Sequence, residues 1–317
     1  MTNSSKKKTK ATKKKSSTKK PKGSKKTKEE NQEFDERLLD ESMLNLEETE
    51  GIQRELRDAD NLQIKKVDDM KIKTKDSDFH KVAESVLDVE TRTTLFNLRR
   101  RKVIDYMTGV ISTGKEANVY HGYSPEGDEL AIKIYRTSTN IFKGLQIYII
   151  GDPRFNKIKR DQRSFVYAWA KKEFKNLSRA LKAKVTVPKP IACQKDVVVM
   201  EFIGEKGLPY RIMKEEELED PQATYKEVLS NLRKLYTKAN LVHGDLSEYN
   251  MLYTPKVYFI DISQAVLTEH PYAEVFLYRD INNITRYFYS QGAKVQDPDK
   301  LFEKLVGEPP SDQVKMF

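Results

Sequence analysis

The stretch Leu241-Val242-His243-Gly244-Asp245-Leu246-Ser247-Glu248-Tyr249-Asn250, with Phe259-Ile260-Asp261 shortly after it, decides how this chain is read. An Asp stands five residues before an Asn, and a second Asp follows eleven residues later. Apolar runs separate them: Met251-Leu252-Tyr253, then Val257-Tyr258-Phe259-Ile260. Single Asp and Asn residues between strands are commonly turn formers. Three of them framed by strand-like runs instead match a phosphotransfer loop, in which Asp245 orients the attacking hydroxyl while Asn250 and Asp261 hold Mg²⁺. Hard oxygen ligands suit that cation.

Working back along the chain, Gly109 to Lys115 nearly matches a Walker A loop, but Glu116 stands where a Ser or Thr hydroxyl is needed. The strand-like Ala117-Asn118-Val119-Tyr120 also stands where a helix is required, so the P-loop reading is rejected. A strand-turn-strand cover fits better, with Ser112, Thr113, Gly114 and Lys115 over a triphosphate. Taken alone, a plain hairpin turn explains that run equally well. In Ala131-Ile132-Lys133-Ile134 a lysine sits inside an apolar strand, where an unpaired charge is costly. A carboxylate or phosphate partner is therefore expected, and Glu173, on a helical pattern from Phe165 to Ala183, is the candidate. Val199-Met200-Glu201-Phe202-Ile203 reads as a connector between lobes, where the backbone of Glu201 and Ile203 can meet an adenine edge.

The first part of the body is strand-rich: Val103–Ile111, Ala117–Tyr123, Leu130–Tyr135 and Val197–Phe202. The second is helix-rich, with helices at Tyr225–Ala239 and Ala273–Tyr289 and a short one near Leu301. The expected fold is therefore α+β and two-lobed. Its expected divisions are a lysine-rich tail (1–28), a charged linker or docking segment (29–78), an N-lobe (79–203), a C-lobe (204–306) and a C-terminal tail (307–317). Phe79 to Lys102 is expected to be an amphipathic helical region built on Val82, Val86, Leu87, Leu95 and Leu98. Residues 136–163 read as a polar, basic loop inserted before the glutamate helix, an uncommon length unless functional or disordered. Its hydroxyls, Thr137, Ser138 and Thr139, and the adjoining Ser164 are candidate autophosphorylation sites.

The net charge of +10 is entirely local: residues 1–28 hold 13 Lys and no acidic residue, leaving 45 basic against 48 acidic residues elsewhere. Such a block cannot bury a core, and its commonest functional use is contact with phosphate backbones; a solubilising or localising tail is the plain alternative. The single Cys193 excludes an internal disulfide, and no Cys/His cluster has metal spacing. No run approaches the roughly 18 apolar residues that span a bilayer, and the lysine-rich start has no apolar segment of a secretory signal. A soluble, cytoplasmic protein with no membrane partner is expected.

Together, Ser112-Thr113-Gly114-Lys115-Glu116-Ala117-Asn118-Val119-Tyr120, His243 to Asn250 and Ile260-Asp261-Ile262-Ser263-Gln264 resemble the type I RIO protein kinases, over about Lys81 to Phe288. Ser263-Gln264 favours type I, since the type II branch has Pro before that Gln and opens with a winged-helix domain. The resemblance implies serine/threonine kinase activity with ATP and Mg²⁺ (or Mn²⁺), Asp245 as catalytic aspartate, Asn250 and Asp261 as metal ligands and Lys133 as the ATP lysine. It also implies an acyl-phosphate on Asp261, hence ATP hydrolysis alongside protein phosphorylation. A role in maturation of the small ribosomal subunit follows from the same resemblance, with the precursor and its rRNA as partners through the tail. Lys206 departs from the family, which commonly has an acidic residue there near the ribose. Two other readings remain open: a small-molecule kinase of the aminoglycoside or choline type, and an RNA-docked assembly factor using ATP as a binding switch.

Overall fold

A computed structural model of the chain describes residues 87–137, 145, 147–149, 151–155 and 161–316. The lysine-rich tail, the 29–78 segment, Val82, Val86, Ser138 and Thr139 lie outside them.

Aspartates start most of the helices. Asp88, Asp161 and Asp220 each accept a backbone N–H three residues on, opening α1 (Val89–Arg100), α2 (Gln162–Lys182) and α3 (Pro221–Thr237). After α4 (Ala273–Ser290), Asp297 caps α5 (Pro298–Val306) in the same way. These caps satisfy donors that a helix end leaves orphaned. Pro221 and Pro298 add a preset φ at a position needing no N–H. The Asp220-Pro221 pair is why α3 begins four residues before the expected Tyr225. The stretch after Val306, read as a tail, carries a short helix α6 (Asp312–Lys315) with Val314 buried.

Five antiparallel strands form the main sheet, in the order β1 (Tyr106–Thr113), β2 (Ala117–Tyr123), β3 (Glu129–Tyr135), β5 (Val197–Glu201), β4 (Pro190–Gln194). β1 begins at Tyr106 rather than Val103, because the Val103 N–H bonds back to the Leu98 carbonyl and closes the end of α1. Apart from the exposed edge strand β1, the sheet is buried on both faces, which explains the unbroken apolar run of β5. Val197 and Val199 face α1 in a small core with Leu98, Ile104, Tyr120 and Ile132. Val198 and Met200 join the large core, which runs through α2 into the helical lobe.

The helical lobe sets two loops face to face. Two-residue strands β6 (Gly204–Glu205) and β7 (Leu208–Pro209) follow the sheet, and then α3. β8 (Leu241–Val242) pairs with β11 (Val266–Leu267), while β9 (Met251–Tyr253) pairs with β10 (Val257–Phe259). The loop between β8 and β9 carries Asp245 and Asn250, and the loop between β10 and β11 carries Asp261. Nested pairing thus turns sequence separation into proximity.

The inserted loop differs from its reading as a polar segment. Leu145, Tyr148, Ile149 and Phe155 are buried in the large core. The Tyr148 ring stacks on Phe276 at 4.8 Å and meets Trp169 edge-on at 6.3 Å. Tyr148 and Ile149 belong to the apolar run Ile147-Tyr148-Ile149-Ile150, a signal in the sequence that the reading of the loop as polar passed over; Phe155 alone stands among polar residues.

Candidate active site

Lys133 is the hub. Its Nζ donates to Glu173 Oε1 at 2.7 Å and to Asp261 Oδ1 at 2.9 Å, so the buried strand lysine has two carboxylate partners. Tyr135, two residues along the same strand, donates its hydroxyl to the other Glu173 oxygen. Burial works to discharge Lys133, but the Asp261 and Glu173 carboxylates outweigh it and raise its pKa. Surrounding protein likewise opposes ionisation of Asp261, although its side chain is open to solvent on one side, and the Lys133 ammonium prevails, holding Asp261 below the usual carboxylate range.

Asp261 adopts a left-handed backbone (φ 54°, ψ 53°), uncommon for a residue with a side chain. That turn opens a short 3₁₀ segment, Ile262–Gln264, which hands a side chain to each aspartate. Ser263 Oγ donates to Asp261 Oδ1 at 3.0 Å, and Gln264 Nε2 donates to Asp245 Oδ2 at 3.2 Å. Asn250 Nδ2 donates to the Asp245 carbonyl at 2.8 Å and to its Oδ2 at 3.1 Å. The Asn250 carbonyl accepts from the Ile260 N–H at 3.0 Å, joining the two loops directly.

The loop before Asp245 is held from behind. Gly244 has φ +78°, and a Cβ there would meet the Gln264 carbonyl oxygen at 3.3 Å, so glycine suits both the turn and the close approach. Asp280, on α4 and fully buried, accepts the Gly244 and Leu246 N–H groups at 2.8 Å each. Burial raises its pKa to about 7 in spite of those bonds. Arg279 donates to the Gly244 carbonyl and to the Tyr148 hydroxyl. His243 is buried behind the loop, and burial lowers its pKa to about 4, so it is neutral at pH 7.

The structure brings Lys133, Glu173, Asp245, Asn250 and Asp261 into one connected network. Ser112, Thr113, Gly114 and Lys115 lie exposed at the β1–β2 turn, where the Gly114 N–H donates to the Ala117 carbonyl at 2.9 Å. At the connector, the Glu201 N–H is bonded to the Lys189 carbonyl, and the Ile203 carbonyl accepts from Tyr210. Sequence reasoning missed Asp280, Tyr135, Gln264 as a neighbour of Asp245, and Glu116 as a member of the site. Burial, reinforced by the neighbouring Asp261 carboxylate, raises Glu116 to about 7. Asp280 had a signal: it falls in register with Phe276, Leu277 and Ile284 on the apolar face of α4, where a carboxylate needs a partner.

The donor set fits a divalent cation bound together with phosphate. Among the described residues no group of three or more His, Cys, Asp or Glu is placed to hold a metal by itself. The oxygens offered are the Asn250 amide and the Asp261 carboxylate, whose side chain remains 48% exposed. That suits Mg²⁺, which takes its other ligands from phosphates and water. Several carboxylates around one lysine also favour an added cation.

Known proteins resemble this chain over most of its length. A RIO domain profile matches residues 118–301. The RIO-type serine/threonine-protein kinase Rio1 of Haloferax volcanii is 43% identical over 246 residues, covering 77% of this chain and 84% of that one. The serine/threonine-protein kinase RIO1 of Homo sapiens is 42% identical over 72% of this chain, which spans 41% of the longer human protein. Among solved structures, the Rio2 kinase–ADP/Mg²⁺–phosphoaspartate complex of Chaetomium thermophilum superposes with a TM-score of 0.53, 19% identity and coverage of 74% and 76%. At that identity it supports the fold alone. No helix among the described residues is long and apolar enough to cross a membrane. A two-lobed body, a lysine–glutamate–aspartate hub and this similarity over most of the chain converge: the chain belongs to the RIO family of serine/threonine protein kinases, in its type I branch.

Proposed function

We propose that the chain transfers the γ-phosphoryl group of ATP to a serine or threonine of a protein substrate, in the cytoplasm, during maturation of the small ribosomal subunit. The observation that carries the chemistry is Lys133, held between Glu173 and Asp261 opposite the Asp245–Asn250 loop. In this reading Lys133 turns from Asp261 to the α- and β-phosphates, with Glu173 keeping it in place. Asn250 and Asp261 hold Mg²⁺, which neutralises charge on the phosphates. Asp245 orients the substrate hydroxyl and accepts its proton. Ser112, Thr113, Gly114 and Lys115 cover the triphosphate, while the Glu201 carbonyl and Ile203 N–H face the adenine edge.

A second reading is favoured by the accessible Asp261 carboxylate and by the phosphoaspartate named in the Chaetomium complex. Here Asp261 itself attacks the γ-phosphorus, ADP leaves, and water later cleaves the acyl-phosphate, giving net ATP hydrolysis. The lysine-rich tail supports docking to ribosomal RNA. A single-turnover experiment with γ-labelled Mg-ATP, with and without small-subunit precursor particles, tests these readings. Label in serine or threonine supports the kinase, hydroxylamine-labile label on the chain supports the acyl-phosphate, and no ATP consumption in either condition refutes both.

A further inference from the structure

Helix α2 carries more than Glu173. Lys172, next to it, is completely buried, and its Nζ donates to the Ser263 and Ala265 carbonyls at 2.9 and 2.5 Å. One turn on, the equally buried Asn176 donates to the Ile262 and Ala265 carbonyls, at 2.9 Å each. The Asn176 side-chain oxygen, Oδ1, accepts from Arg154 Nη1 at 2.8 Å. Arg154 is in turn gripped by the fully buried Asp152 through Nε and Nη2. Spacing explains the reach: positions 172 and 176 stack on one face of a helix.

All the carbonyls so held belong to residues 262–265, the segment leaving Asp261. The same segment presents Ser263 to Asp261 and Gln264 to Asp245. A lysine buried away from water is costly. Methionine or leucine would fill the space without that cost, but would take the Lys172 donor from the interior Ser263 carbonyl and leave the Ala265 carbonyl to Asn176 alone. From these contacts we infer that Lys172 and Asn176 are positioning residues for phosphoryl transfer. They fasten the helix bearing Glu173 to the turn bearing Asp261, so that the Lys133 clamp and the aspartate are set as one rigid unit. A kinase built this way keeps its helix glutamate engaged whether or not nucleotide is bound. The inference rests on the kinase reading above only for its rate effect, not for the mechanical link.

The test is Lys172→Met in the full chain. Hydrogen exchange of the nucleotide-free protein reads the link directly: amides of residues 262–267 exchange faster, while those of α3 do not change. Single-turnover transfer from Mg-ATP falls about 10–100-fold, the cost of roughly ångström-scale misplacement, with the KM for ATP changed less than about threefold. Should Lys172→Met fail to fold, Asn176→Ala, which leaves the two Lys172 bonds in place, carries the same readouts. Unchanged exchange at 262–267 in a folded variant overturns the link. Faster exchange with an unchanged transfer rate overturns the positioning role. If the wild-type chain transfers no phosphate, the kinase reading fails, and the exchange data still decide whether the link exists.

Discussion

Asp280 closes on Gly244: one carboxylate oxygen accepts the glycine N–H at 2.8 Å, and the other takes the N–H of Leu246, so both neighbours of Asp245 hang from one buried side chain. Asp280→Ala leaves two interior donors without acceptors, each worth roughly 1–3 kcal/mol. The expected loss is about 2–4 kcal/mol in denaturant unfolding, with slower transfer in whatever fraction stays folded. Wild-type stability in this variant would show that water replaces the carboxylate.

The roles proposed for Asp245 and Asp261 can be separated. Asp245→Asn removes the orienting charge, and transfer should fall by about 10²–10⁴ while ATP affinity stays close to wild type. Asp261→Ala should instead weaken Mg²⁺-dependent nucleotide binding and abolish any hydroxylamine-labile phosphate. Titration of nucleotide with and without Mg²⁺, beside transfer rates, checks both. Undiminished transfer in Asp245→Asn removes that residue from the chemistry.

Glu116 provides a pH signature. Its pKa rises from an ordinary 4.5 to about 7, because burial and the nearby Asp261 carboxylate disfavour its charge. Between those values the folded chain holds a proton that the unfolded chain has released, so stability falls as pH rises through the window. The melting temperature of Glu116→Gln should therefore decline less steeply from pH 5 to 8 than that of wild type. Asp280 titrates in the same direction in both proteins, so the difference isolates Glu116. Parallel profiles would show that Glu116 titrates normally.

The four hydroxyls considered for autophosphorylation now divide. Thr137 donates to Asp88 at 2.9 Å, and Ser164 donates to Asp161 at 2.6 Å. A phosphate on either would meet a carboxylate and disturb the aspartate that caps a helix. Mass spectrometry after incubation with Mg-ATP should place any phosphate on Ser138 or Thr139. Stoichiometric phosphate on Thr137 or Ser164 contradicts this.

Removing residues 1–28 tests the tail. Transfer to a model substrate should be nearly unchanged, whereas binding to precursor particles weakens. Its log–log salt slope should become shallower by about 0.7–0.9 for each backbone phosphate that the tail no longer neutralises. Equal affinity and slope for both proteins would assign particle binding to the folded body.

The residues proposed to do the chemistry were legible because such chemistry dictates both type and spacing. Asp245, Asn250 and Asp261 stand out between apolar runs, and Lys133 is conspicuous inside a strand. Glu173 was reachable through helical periodicity. What holds these groups was not legible. Asp280 and Lys172 act on backbone groups 34 to 93 residues away, and backbone groups leave no mark on a sequence. A charged residue on an otherwise apolar helix face was the one available clue. Of the buried anchors of the inserted loop, Leu145, Tyr148, Ile149 and Phe155, the middle two lie in a four-residue apolar run that was legible but too short to declare a helix or a strand.

The pairing of β8 with β11 bears on kinetics. Only eleven residues separate Asp261 from α4, and two of them, Val266 and Leu267, are already laddered to the strand that leads into Asp245. No long segment there waits to be ordered by a modifying enzyme before the two aspartates face each other. Turnover should thus begin at full speed on mixing, with a linear progress curve and no activation phase. Abundance and substrate supply, rather than a preceding modification, should then set its rate.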